Sequence, residues 1–213
     1  MTEEKNKPRC RWCNLANPLY VHYHDEEWGV PCHDDHALYE LLILESFQAG
    51  LSWETVLNKR ARFREVYDGF DLDKVCAYGE EKIARLLSDE GIIRNRLKSG
   101  PVSKTGRVFR DIQEEYGSFE KYIWGWTDGK VIYENDPAVT TGPLSDAISQ
   151  DLKKRGMTFV GSTIIYAICR PSASSMPTAT TAGCMAGMAK QFEENNYAPL
   201  YLDFASIMGH NST

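Results

Sequence analysis

Glu45 occupies a position where a carboxylate is unexpected. Leu38, Leu41, Leu42 and Glu45 fall at i, i+3, i+4 and i+7, the spacing of one helical face. A carboxylate on an apolar face loses hydration unless a donor or a cation meets it. Two readings stay open: a boundary glutamate paired with a nearby arginine, or a carboxylate aimed into a pocket. Trp12, Tyr20, Tyr23, Trp28 and Trp53 crowd into the first quarter of the chain. Ordinary core packing absorbs several such rings. Beside a buried carboxylate they also make a slot for a flat cationic ring, through stacking and cation–π attraction.

Two further groupings carry chemistry. Cys10 and Cys13 form a C-x-x-C, with His22, His24 and Cys32 nearby. No second such pair follows, so as a zinc signal it is weak. From Ile92 to Arg110 there are six basic residues, Arg94, Arg96, Lys98, Lys104, Arg107 and Arg110, and no acidic one. A charge run usually means a solvated helix face. This one begins at Gly91, between two helical patterns, where successive backbone N–H groups can face a phosphate.

The elements that position these residues read as helices throughout. Cys10 to Pro31 has no clean period and reads as a loop-rich cap with a helical turn or two. Asp34 or Asp35 can cap a helix that Gly50 stops, and Ser52 caps a second running to about Tyr67. Short helices are expected over 71–78 and 80–89. Leu87 to Arg96 looks like a helix-hairpin-helix turn centred on Gly91. Helices are expected again over 109–116, 119–126 and 145–155, the last with basic residues in its final turn and ended by Gly156. Residues 160–169 read as a buried segment. The pattern holds no convincing strand and no internal repeat, so the fold class is all-α, one compact helical bundle that can divide into two lobes.

Composition bounds the rest. The chain has 213 residues, 42% hydrophobic and 25% charged, as in an ordinary globular domain. Its longest nearly apolar run, Phe159 to Cys169, is about half of the ~20 residues that span a bilayer. The first five residues hold no apolar signal region, so a cytoplasmic, monomeric protein without membrane contact is expected. Six Cys without an export signal read as thiols or metal ligands rather than a disulfide framework. The net charge is −6, which argues against a surface coated for nucleic acid. Resolved by segment, the 92–110 run carries +6 and the rest of the chain −12. The expectation becomes a narrow phosphate-binding face on an acidic protein.

Taken together, these strings resemble the 3-methyladenine DNA glycosylase I family. The matching segments are Cys10-Arg-Trp12, Pro18-Leu-Tyr20, Tyr23-His24-Asp25-Glu-Glu-Trp28-Gly29-Val-Pro31, Leu44-Glu45-Ser-Phe-Gln48-Ala-Gly50-Leu-Ser-Trp53, Gly91-Ile-Ile-Arg-Asn-Arg96 and Leu152-Lys-Lys-Arg-Gly156-Met-Thr-Phe-Val-Gly161. The resemblance covers about Cys10 to Cys169. It implies a helix-hairpin-helix glycosylase fold that removes 3-methyladenine from alkylated double-stranded DNA, with the free base as product. By position it implies Glu45 and Tyr23 as catalytic residues and Trp53, Tyr20 and Trp12 as base-binding ones. It implies DNA contact through Gly91, Ile92, Arg94 and Arg96.

The resemblance also implies a structural zinc held by Cys10 and His24 together with a C-terminal His-x-x-x-Cys. That second pair is missing: its places fall near Thr178 and Ala182. Residues 171–190 hold fifteen Ser, Thr, Ala, Gly or Pro and no Leu, Ile or Val, too little apolar surface for a core. The division expected is therefore a disordered 1–9, a glycosylase domain over 10–170 and an atypical tail over 171–213. The tail is readable as a frameshift product. Synonymous codons for Cys169 to Ala182, read two bases along, can give Pro-Ala-Phe-Gly-Ile-Val-Asn-Ala-His-Ser-His-Asp-Cys. The gene's own codons decide this. The alternative functions are a catalytically impaired DNA-binding relative that has lost its zinc clamp, and a zinc-binding interaction module.

Overall fold

The computed structural model describes residues 9–48, 50–130 and 139–172. The whole 173–213 tail, the places near Thr178 and Ala182 included, and most of the 1–9 segment lie outside the described residues. Among those described there are helices and no strands.

The helices are α1 (Pro18–His22), α2 (Asp35–Gln48), α3 (Trp53–Val66), α4 (Leu72–Cys76), α5 (Glu80–Ser88), α6 (Arg96–Ser99), α7 (Val102–Tyr116), α8 (Phe119–Gly125), α9 (Pro143–Lys154) and α10 (Ser162–Ser172). A five-residue π turn, Tyr23–Glu27, continues α1. Local chemistry sets most boundaries. Asp34 is the cap of α2: its Oδ1 accepts from Ala37 N at 2.7 Å. Asp35, the other candidate, instead accepts from the Phe119 and Glu120 amides at 2.9 and 2.7 Å. It thereby caps α8 and ties it to α2. Ser52 caps α3 through Thr55 N. α9 starts at Pro143, two residues before the expected Ser145, because Ser145 Oγ accepts from the Gly142 amide at 2.9 Å.

α2 is the central element. Leu38, Tyr39, Leu42, Ile43, Leu44 and Phe47 are all buried, as are Glu40 and Glu45. The expected single inward face is therefore wrong in detail. Leu41 is only partly buried, while residues on the other sides of the helix are enclosed. Such a helix is packed all round, and it carries two carboxylates into the interior at different angles. Among the described residues the buried apolar side chains of these helices form a connected cluster.

α9 and α10 pack against each other, and their connection runs back along α9. Ser145 Oγ meets Ser162 Oγ at 2.8 Å, and Ser149 Oγ donates to Val160 O at 2.7 Å. Their connection passes through Gly156 at φ +103, a conformation that disfavours any side chain.

Candidate functional site

The π turn places Tyr23 at one end and Glu27 at the other, and Trp28 N donates to Tyr23 O at 2.8 Å. Single π turns are uncommon and frequent at functional sites. Tyr23 is 8% exposed. Its ring centroid lies 5.4 Å from that of Trp53, which opens α3, and 6.4 Å from that of Tyr20 on α1. Tyr20 lies 5.3 Å from Trp12, and Trp12 packs edge-on to Trp28 at 4.7 Å. Trp12 is the exposed rim of this chain of rings.

Glu45 comes to the same place from α2 and is 3% exposed. Its Oε2 is buried with no hydrogen-bond partner among the described residues, and so is Trp53 Nε1. Each unmet buried polar atom marks a place where something else can bind. Burial pushes the Glu45 carboxyl up from 4.5 to about 8. Burial, Glu45 and Glu27 raise the Tyr23 hydroxyl well above its ordinary range, against a smaller opposing effect of Arg60. Tyr23 thus keeps its proton and is available as a hydrogen-bond donor.

The bland reading of Glu45, a partner for a nearby arginine, does not hold. Of the α3 arginines, Arg60 and Arg64 go to Glu40 instead, and Arg62 pairs with Asp89 and Glu65. Arg60 Nε donates to Glu40 Oε1 at 2.5 Å, and Arg64 Nε donates to both Glu40 oxygens at 2.9 and 3.0 Å. Arg60 Nη1 also holds both oxygens of Glu27 at 2.8 and 2.6 Å. Sequence reasoning missed this four-residue network. The i, i+4 spacing of Arg60 and Arg64 shows that they share a face, but not which carboxylates that face meets.

The expected DNA-contact residues lie on the turn after α5, and the structure alters their meaning. The Gly91 amide donates to Asp89 Oδ1 at 2.8 Å, so it does not face an open phosphate site. Lys59 of α3 donates to the Glu90 and Gly91 carbonyls. Ile92 is 3% exposed and belongs to the core. Arg94 lies 3.6 Å from Glu90, while Arg96 is exposed at the start of α6. The basic run does not form one face either. Arg110 pairs with Asp73 at 2.7 Å, and Arg107 donates to the Cys76 carbonyl. Lys98 is buried, donates to Phe47 O at 3.3 Å, and has its proton affinity lowered by burial. It meets the C-terminal end of α2, where a cation is favoured.

Cys10 and His24 do come together. The Cys10 amide approaches His24 Nε2 at 3.2 Å, and His24 Nδ1 faces Asp25 Oδ1 at 2.9 Å. Both ring nitrogens of His24 therefore have protein partners. Among the described residues no group of three or more His, Cys, Asp or Glu is placed to hold a metal. Among the described residues, Cys10 and His24 alone do not make up the four ligands of a tetrahedral zinc site. A cavity of about 10 Å³, room for one water, lies between Ser46, Lys98, Thr105 and Thr158. It is bordered by neither Tyr23 nor Trp53.

Comparison with known proteins adds the family. The profile of the methyladenine glycosylase family matches residues 12–186, reaching past residue 170. The DNA-3-methyladenine glycosylase 1 of Escherichia coli K12 is 41% identical over 162 residues, covering 74% of this chain and 86% of the relative. The DNA-3-methyladenine glycosylase of Haemophilus influenzae is 36% identical over 163 residues, covering 75% and 88%. A solved structure of a Tyr-to-Phe variant of 3-methyladenine DNA glycosylase I in complex with 3-methyladenine superposes with a TM-score of 0.75 at 29% identity. It covers 80% of this chain and 96% of the solved one.

Proposed function

The chain belongs to the methyladenine glycosylase family, and from that premise we propose how this DNA glycosylase hydrolyses the N-glycosidic bond of 3-methyladenine in alkylated duplex DNA. One observation carries the site: the buried Glu45 Oε2, without a partner among the described residues, near Tyr23, whose ring packs with those of Trp53 and Tyr20.

Methylation at N3 makes adenine a cation and weakens its bond to the sugar. The site therefore need not supply a strong acid to the leaving base. It must receive the flipped nucleotide, hold the cationic ring and favour charge that develops on the sugar. Trp53 stacks on the base, Tyr20 and Trp12 line the entrance, and Tyr23 donates from its protonated hydroxyl. Glu45 is mostly protonated in the empty site at neutral pH, given its value of about 8. An entering cation stabilises the carboxylate, and its proton leaves to solvent. Water then bonds to C1′ while the glycosidic electron pair returns to the ring and cancels its charge. The water's second proton leaves to solvent, and the products are neutral 3-methyladenine and an abasic site. Neutral adenine gains nothing from ionising Glu45, which gives discrimination.

Replacing Glu45 by Gln keeps the shape and removes the ionisable group. Single-turnover excision by Glu45→Gln is expected to fall on the order of 10²–10³-fold with the helical spectrum retained. Excision at the unchanged rate ends the assignment of Glu45. For the metal, we propose that the chain binds zinc weakly or not at all. Two nearby groups, Cys10 and His24, cannot close a four-ligand site. DNA contact by Arg94 and Arg96 stays part of the proposal, with Gly91 and Ile92 serving to shape the turn.

A further inference from the structure

We propose that Arg60 is a positioning residue for excision, acting through the π turn on Tyr23; this rests on the functional reading above. The π turn is only five residues long and carries Tyr23 at its start. A segment that short has little intrinsic stability, so its orientation depends on what holds its ends. Its far end is held by Glu27, both of whose oxygens are gripped by Arg60 Nη1. The same guanidinium reaches Glu40 through Nε. Glu40 is 2% exposed and stands on α2, the helix that carries Glu45. Arg60 itself stands on α3, the helix that Trp53 opens. One side chain therefore joins the three elements that deliver Tyr23, Glu45 and Trp53.

The planar fork of an arginine suits this task. It can hold two carboxylates in fixed directions at once, which a lysine ammonium does less well. Arg64 completes the charge balance at Glu40 without reaching Glu27. Loss of Arg64 thus weakens one anchor, whereas loss of Arg60 removes the ion-pair link from Glu27 to both helices and leaves Tyr23 held there by ring packing alone. Misplacement of a reacting group by about 1 Å can slow a reaction by about 10²-fold.

The experiment is a double-mutant cycle read by single-turnover excision of 3-methyladenine from methylated duplex DNA. The variants are Arg60→Met, Arg60→Lys, Glu27→Gln and Tyr23→Phe. Glu27 is the safer partner because it is a third exposed and Glu27→Gln leaves the Arg60–Glu40 pair in place. Expected is a fall of about ten- to a hundredfold for Arg60→Met, a smaller fall for Glu27→Gln, and partial recovery in Arg60→Lys. KM for the DNA stays unchanged. In the Tyr23→Phe background the Glu27→Gln effect disappears, since both act through one group. Equal effects in both backgrounds, or a lowered Tm with no change in excision, overturn the proposal. If Tyr23→Phe and Glu45→Gln themselves excise at the wild-type rate, the site reading falls and this proposal with it.

Discussion

Glu45 is a carboxyl whose charged form the fold resists, and that has consequences in two measurements. Its value is raised from 4.5 to about 8 by burial. The folded state therefore binds a proton more tightly than the unfolded chain. Its contribution to stability is complete below about pH 4.5 and is lost as pH rises through 8. Glu45→Gln is expected to raise Tm at pH 8 relative to wild type and to flatten the slope of Tm between pH 5 and 8. A variant less stable than wild type at pH 8 contradicts this. Catalysis runs the other way, because the cation needs the carboxylate. The acid limb of kcat/KM should have its midpoint near 8 in wild type and be absent from the residual activity of Glu45→Gln. A flat wild-type profile from pH 6 to 9 contradicts it. The sequence pattern made Glu45 visible, since a charged residue at an apolar spacing is conspicuous. It did not reveal Glu40, buried on another side of the same helix, because a helix packed all round has no single face to read.

At the scale of elements, the helix ends were the most legible feature. Ser52 at the head of α3 and Gly156 after α9 act within a turn of their own position, so the signal is local. The turn after α5 was legible as a turn and misread as to its use. Its glycine serves a close approach: a Cβ at Gly91 would lie 2.6 Å from Arg62 Cγ and 2.9 Å from Asp89 Oδ1. Gly91→Ala is therefore expected to displace Arg62 from Asp89 and to cost about 1–3 kcal/mol in urea unfolding. The salt dependence of DNA binding should not change, because the Gly91 amide is already held by Asp89. An unchanged unfolding midpoint with a shallower salt slope would restore the phosphate-contact reading. The basic run failed for a related reason. Spacing along the chain does not show that Arg110 will meet Asp73 or that Lys98 will turn inward to the end of α2.

At the scale of the molecule, the glycosylase pattern occupies the connected core, and the sequence lacks the C-terminal His-x-x-x-Cys that the clamp would need. Cys10 and His24 lie together beside the aromatic cluster, with His24 already engaged by Cys10 and Asp25. After dialysis against a mild chelator, bound zinc is expected well below one equivalent; a full equivalent contradicts the assignment. The net charge of −6 takes on a different meaning from the one its sequence segments suggested. Two ion pairs and two carbonyl contacts spread the 92–110 run over several partners, so DNA affinity should be modest and salt-sensitive. The central claim is that this chain excises an alkylated base, and the direct measurement is chromatographic detection of free base after incubation with methylated duplex DNA at pH 8. Release of 3-methyladenine by the full chain, slowed on the order of 10²-fold or more in Glu45→Gln, is the result predicted. Binding to that DNA with no release of 3-methyladenine would contradict it and identify an impaired relative of the same fold.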